Sequence, residues 1–250
     1  MNKIFASWLL LICVSCTVNV ETENSVDRYK NIKEGRYNVA FLIIDGTFNT
    51  ELTAPYDIFN HTIFRDSIKP MNVFMVANTL APIVTFEGIR ILPDFDYTSD
   101  SLPPIDILVV PSAEGHLNKD LKDSLMLDFV KTVAASAQFV TSHCDGAFVL
   151  AEAGLLTDVA STTFPGDINA YRERYPNQVI HDSVLFVHDG KFITSAGGAK
   201  SFEAALYLSE VLYGKNVANQ LAEGLVIDWD LNAVPHIVVQ TPDNINQDGR

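Results

Sequence analysis

Short runs that are apolar on both faces alternate, through the middle of the chain, with segments whose apolar positions recur every three or four residues. "YNVAFLII" (37–44) is followed by a helical pattern over 52–63. "MNVFMVA" (71–77) comes next, then the polar-bounded "PIVTFEGIRIL" (82–92), "DILVVP" (106–111), a second helical pattern over 119–136, and "QFVTSH" (138–143). Strands without a polar face must be covered on both sides, and their alternation with helices points to parallel pairing. The pattern therefore predicts a flavodoxin-like α/β fold: a doubly wound, mostly parallel sheet with helices on both faces. Further along, "SVLFVHDGKFITSA" (183–196) sets two short strand patterns around Asp189-Gly190, which predicts an added β-hairpin. "SFEAALYLSEVLYG" (201–214) predicts an amphipathic helix with Phe202, Ala205, Leu206 and Leu208 turned inward and Gly214 as its stop.

The two ends read differently. "MNKIFASWLLLICVSC" opens with a positive residue and continues into an apolar stretch over 4–14, too short to span a bilayer core of ~30 Å. Residues 1–16 are thus expected to be a secretory leader, and the protein to be exported. The Val14-Ser15-Cys16 ending resembles a bacterial lipobox, with Cys16 as the lipidation site, although Cys13 stands where that motif usually has Leu. Plain secretory cleavage and an uncleaved leader are the alternatives. The location is accordingly periplasmic or, with lipid on Cys16, membrane-anchored. Residues 17–36 are polar and without period, suited to a tether; the domain is expected over 37–232, and a polar, poorly ordered tail over 233–250.

Charge narrows the partners. Seventeen basic residues against 31 acidic give a formal charge of −14, which repels nucleic acid and an anionic membrane face, leaving the lipid as the only membrane contact expected. Of the three cysteines, only Cys144 lies outside the leader. In an exported protein an unpaired thiol is exposed to oxidation, so its retention calls for a reason.

That reason is local. Ser142-His143-Cys144-Asp145-Gly146 places small residues two positions to each side of Cys144, at the point where a strand pattern becomes an Ala-rich helix pattern. A sharp strand-to-helix turn needs that spacing, because the flanking backbones come close while the central residue is held up. A thiol there sits at a helix start, where N–H groups and the helix dipole favour an anion, so a lowered thiol pKa is expected. Parallel sheets also place their ligands at this end. Glu51, by contrast, reads on residue type alone as a first-turn acid that stabilises its own helix.

From about Tyr37 to Trp229 the chain resembles the ThiJ/PfpI family of the class I glutamine amidotransferase-like superfamily, in its isonitrile hydratase-like branch. "FLIIDGTFNTELTAPYDIF" resembles the family's first strand, glycine-containing turn and acidic helix start. "FVTSHCDGAFVLAEAGLL" resembles its nucleophile elbow, and "VHDGKFITSAGGAKSFEAALYLSEVLYG" its last hairpin, glycine pair and helix. The resemblance implies that Cys144 is the reactive cysteine and Glu51 its acidic partner, a buried acid that shares a proton with the sulfur. It implies an oxyanion site from the N–H of Asp145 and one from the loop at Ser112 and Ala113, a binding role for Gly46, and a homodimer.

Two departures stand out. Phe164, in Ser161-Thr162-Thr163-Phe164, occupies a place where many members carry His, and the usual Pro-Gly-Gly loop is here Pro111-Ser112-Ala113-Glu114. His116, in "SAEGHLNKD", is the candidate replacement acid or base, while His143 is expected to support the elbow from behind, since neighbours on an extended segment face opposite ways. No His, Cys and Asp cluster has metal-ligand spacing, and no cofactor is expected. The function expected is a cysteine-dependent enzyme acting on a small electrophilic molecule, by isonitrile hydratase-like hydration or glyoxalase-like chemistry. The alternative is a non-catalytic binding or redox-sensing module with an oxidisable Cys144.

Overall fold

The computed structural model describes residues 32–99 and 101–239. The leader, Cys16, most of the expected tether and the last eleven residues lie outside the described residues. In chain order the elements are β1 (Tyr37–Leu42), α1 (Asn49–Asn60), β2 (Met71–Ala77), β3 (Ile83–Val84), β4 (Arg90–Ile91), β5 (Phe95–Asp96), β6 (Ile107–Val110), α2 (Ser124–Ser136), β7 (Phe139–His143) and α3 (Gly146–Glu152). They continue with α4 (Ile168–Arg174), β8 (Phe186–Asp189), β9 (Phe192–Ser195), α5 (Ser201–Tyr213), α6 (Lys215–Gly224) and β10 (His236–Val239).

Among the described residues an eight-stranded sheet runs in the order β10-β8-β9-β7-β6-β1-β2-β5. Every pairing in it is parallel except the β8–β9 hairpin. The doubly wound reading stands, because the strands are apolar on both faces. Ala40, Leu108, Val110 and Val140 pack towards α2, α3 and Tyr171 of α4. Val39, Phe41, Ile107 and Val109 pack towards α1, α5 and α6. Fully burying one such side chain contributes roughly 1.5–3 kcal/mol.

Several local expectations are corrected. The first helix begins at Asn49, which puts Glu51 in its first turn, and ends in a 3-10 turn over His61–Phe64. The "PIVTFEGIRIL" run is not part of the main sheet but a separate two-stranded hairpin, β3 with β4. In the added hairpin Asp189 pairs with Phe192, so the turn falls one residue later, at Gly190-Lys191. The start of the expected tail is ordered: His236–Val239 add a parallel edge strand to β8, in register from Phe186 to Asp189. The end of the expected tether is also pinned. Ile32 packs on the core, and the Asn72 side chain accepts from Lys33 N at 3.2 Å and donates to Lys33 O at 2.9 Å. No helix among the described residues is long and apolar enough to cross a membrane.

Candidate active site

The elbow forms where the chain leaves β7, the central strand between β6 and β9. Cys144 has φ 53°, a left-handed conformation that costs a side-chain-bearing residue and persists only where packing over-determines it. Three contacts do so. Cys144 N donates to Ser195 O at 2.9 Å. A Cβ at Gly146 would lie 2.1 Å from Val110 O, which is why the residue two positions after the cysteine must be small. A Cβ at Gly197 would lie 2.3 Å from Cys144 Cβ and 2.6 Å from its backbone N. The second glycine contact was hidden in the sequence, because its partner stands far upstream.

Glu51 is brought to the same place, as the resemblance implied. It is buried in the first turn of α1, and its Oε1 accepts a hydrogen bond from Gly198 N at 3.0 Å. The glycine pair thus presses on Cys144 with one residue and holds Glu51 with the next.

The expected lowering of the thiol pKa is not what the surroundings produce. Cys144 is only 7 % exposed, and burial pushes its thiol well above the ordinary range. The charges of Asp145 and Glu51 push the same way, while the Ser112 hydroxyl and the Asp145 N–H favour the thiolate and do not prevail. The largest influence on the sulfur is its burial, and α3, which follows it, is a short helix of seven residues.

Asp145 is the feature the sequence undervalued. It was expected to offer only its N–H, yet its side chain, 6 % exposed, enters the site. Thr163 Oγ1 lies 3.1 Å from Asp145 Oδ1 and 3.0 Å from Cys144 O. Burial, and after it the neighbouring Asp167 carboxyl, push Asp145 up to about 7, far above a usual carboxylate, while the Thr163 hydroxyl and the thiol of Cys144 pull it partly back.

The other candidates fall into supporting places. His116 is buried, with Nδ1 accepting from Ala113 N at 3.1 Å and Nε2 without a partner. Burial alone pushes its imidazole down to about 3, so it stays neutral and locks the loop instead of serving as acid. The same bond takes the Ala113 N–H away from any oxyanion site. Ser112 Oγ, fully buried, has no partner at hydrogen-bonding distance but bears on the Cys144 thiol. Gly46 has φ 85° and bonds the β3–β4 hairpin through Val84 O at 2.8 Å and the His116 loop through Glu114 N at 3.0 Å; it positions loops. His143 stands behind the elbow as expected, its Nδ1 3.0 Å from Ser195 Oγ, and burial pushes it down to about 3. Phe164 is 42 % exposed, and a Cβ at Gly166 would touch its ring; the contacts from this segment to the elbow come from Thr163, one residue earlier. No group of three or more His, Cys, Asp or Glu among the described residues could hold a metal ion.

A cysteine raised on a left-handed turn at the carboxyl end of a central parallel strand, with an acid reaching it from the first helix, defines an α/β protein built around a nucleophile elbow. Within that class the chain belongs to the DJ-1/PfpI family, whose model matches residues 37–211. It is 31% identical over 183 residues to isonitrile hydratase of Pseudomonas putida, covering 72% of this chain and 74% of that protein. It is 25% identical over 157 residues to the glutathione-independent glyoxalase DJR-1.2 of Caenorhabditis elegans, covering 63% and 82%. In fold it resembles a ThiJ/PfpI family protein from Pseudomonas syringae, with a TM-score of 0.68 at 24% identity over 78% of this chain and 77% of that one.

Proposed function

We propose that this protein is an exported, Cys144-dependent enzyme that hydrates a small isonitrile, with Glu51 as proton partner of the sulfur. The observation that carries the reading is the burial of Cys144 on a strained turn, with Glu51, Asp145 and Ser112 bearing on its sulfur, an environment that disfavours the thiolate. Most electrophiles need a thiolate first. An isonitrile does not, because its terminal carbon is itself a proton acceptor and becomes electrophilic once protonated. A neutral thiol beside carboxyl groups suits that order of events better than attack on the carbonyl of a dicarbonyl, and the similarity to isonitrile hydratase supports the same choice. Oxidation sensing is disfavoured, since the thiolate is the form that peroxide attacks.

The test is conversion of an alkyl isonitrile to its N-formamide, with methylglyoxal consumption assayed in parallel. Wild type is expected to form the formamide, and Cys144→Ser to lose at least about 10³-fold in kcat/KM. Equal rates for the two proteins would end the proposal, and turnover of methylglyoxal alone would move it to glyoxalase chemistry.

A further inference from the structure

The loop after β6 has one donor already spent and another idle. Ala113 N donates to His116 Nδ1 at 3.1 Å, so that N–H is not free for a substrate. Ser112 is the reverse case: its side chain is wholly buried and its Oγ has no partner. A buried hydroxyl left unbonded costs free energy, and native sites accept that cost where a bound molecule completes the bond. Strand register places this hydroxyl. β6 and β7 run parallel with Val110 opposite Ser142, so two residues further along each chain Ser112 comes level with Cys144, at the spacing of neighbouring strands, roughly 5 Å. The two chains still touch beyond the strands, since a Cβ at Gly146 would lie 2.1 Å from Val110 O and 3.4 Å from Pro111 O. From the other side the loop is pinned to the segment before α1: Ser112 O accepts from Phe48 N at 3.0 Å, and Thr47 bridges to Ala113. The hydroxyl bears on the sulfur without being bonded to it, which leaves its proton for an atom that the sulfur has captured.

We propose that Ser112 is a catalytic residue whose hydroxyl donates to the oxygen that water brings to the sulfur-bound carbon, doing with a side chain what the loop does not do with the Ala113 N–H. The inference rests on the isonitrile reading for its reaction, but not for the donor. In that reaction the thiol proton passes to Glu51 and on to the isonitrile carbon while the sulfur bonds to the same carbon, giving a thioimidate. Water then adds to that carbon, and one of its protons reaches the nitrogen through Glu51. As the carbon–sulfur bond breaks, the remaining hydroxyl proton goes to the departing sulfur and the oxygen becomes the carbonyl of the N-formamide. Charge gathers on that oxygen during the collapse, and a donor fixed in a dry site stabilises it there. Ser112 keeps its own proton throughout, the thiol is restored, and nothing is oxidised or reduced.

The experiment has two arms on the full chain. In the first, acetaldehyde labelled with carbon-13 at its carbonyl is titrated into the protein, and the NMR signal of its thiohemiacetal with Cys144 gives a Kd without any isonitrile. That adduct carries its oxygen on a sulfur-bound carbon, as the hydration adduct does. Ser112→Ala should weaken it about tenfold, Ser112→Thr, which keeps the hydroxyl, should recover most of the loss, and Cys144→Ser should give no adduct. Equal affinity in wild type and Ser112→Ala, or no adduct with the wild type, would overturn the donor. In the second arm, Ser112→Ala should turn over an alkyl isonitrile with kcat about tenfold lower and KM little changed. Intact mass should show its thioimidate accumulating on Cys144, because capture of the isonitrile is spared and only the later collapse is slowed. An unchanged kcat, or a slowed reaction with no accumulated adduct, would refute the role in hydration. No turnover by any form would remove the isonitrile reading and leave the donor to stand or fall on the first arm. Should Ser112→Ala fail to fold, Ser112→Gly decides both arms in its place.

Discussion

Glu51 and Asp145 both bear on the Cys144 sulfur, one from α1 and one from the elbow, and they are held in opposite ways. Glu51 comes from α1 and accepts from the backbone N–H of Gly198, a donor fixed in place by its turn. Asp145 comes from the elbow itself and meets a hydroxyl that can turn and a carboxyl that repels it. A fixed backbone donor sets where the Glu51 carboxyl sits relative to the sulfur, whereas the Asp145 carboxyl is governed by burial and by the acid beside it.

Three substitutions break or sharpen this contrast. Gly197→Ala strikes the turn on which Cys144 leans and from which Glu51 is held, and its new methyl group would overlap the Cys144 backbone. A loss of about 3–4 kcal/mol in urea unfolding is expected; wild-type stability would mean that the turn yields and that the glycine positions nothing. Glu51→Gln comes next. It keeps an oxygen for Gly198 N but removes a charge that pushes the thiol up, so alkylation of Cys144 at fixed pH should quicken by up to about tenfold. Isonitrile turnover should meanwhile fall roughly 10²-fold. Two readouts that move together would show that Glu51 does not handle the thiol proton. The smallest effect belongs to Ser112→Ala, which removes a buried hydroxyl that favours the thiolate. Alkylation should slow by about two- to threefold with stability within ~1 kcal/mol of wild type; a rate unchanged within error would place that hydroxyl too far from the sulfur to matter.

What the sequence announced and what it concealed divide along burial and distance. The central strands were legible because both their faces are buried, and the elbow because Gly146 must be small wherever such a turn crosses a neighbouring strand. β10 was concealed because "HIVV" is a half-exposed edge strand set in polar surroundings. α6 was illegible for a related reason: it buries only Ala218, Leu221 and Ala222, so its apolar stripe, though regular, is narrow and lies in a largely polar segment. Thr163 was illegible because its hydroxyl carries no signature of its own, and only folding sets it against Cys144 O and Asp145 Oδ1. The sign of the thiol shift was misread for a deeper reason: a helix start is visible in sequence, but the exclusion of water around a sulfur is a property of the assembled core.

Strand direction also sets which way the molecule faces. β1 runs parallel to β7, so the chain enters the sheet at the pole opposite Cys144. β10 runs with β8 and against β9 and β7, so Val239 leaves at that same far pole. β1 therefore begins and β10 ends at the pole away from the elbow, so neither of these strand ends crowds the rim around Cys144.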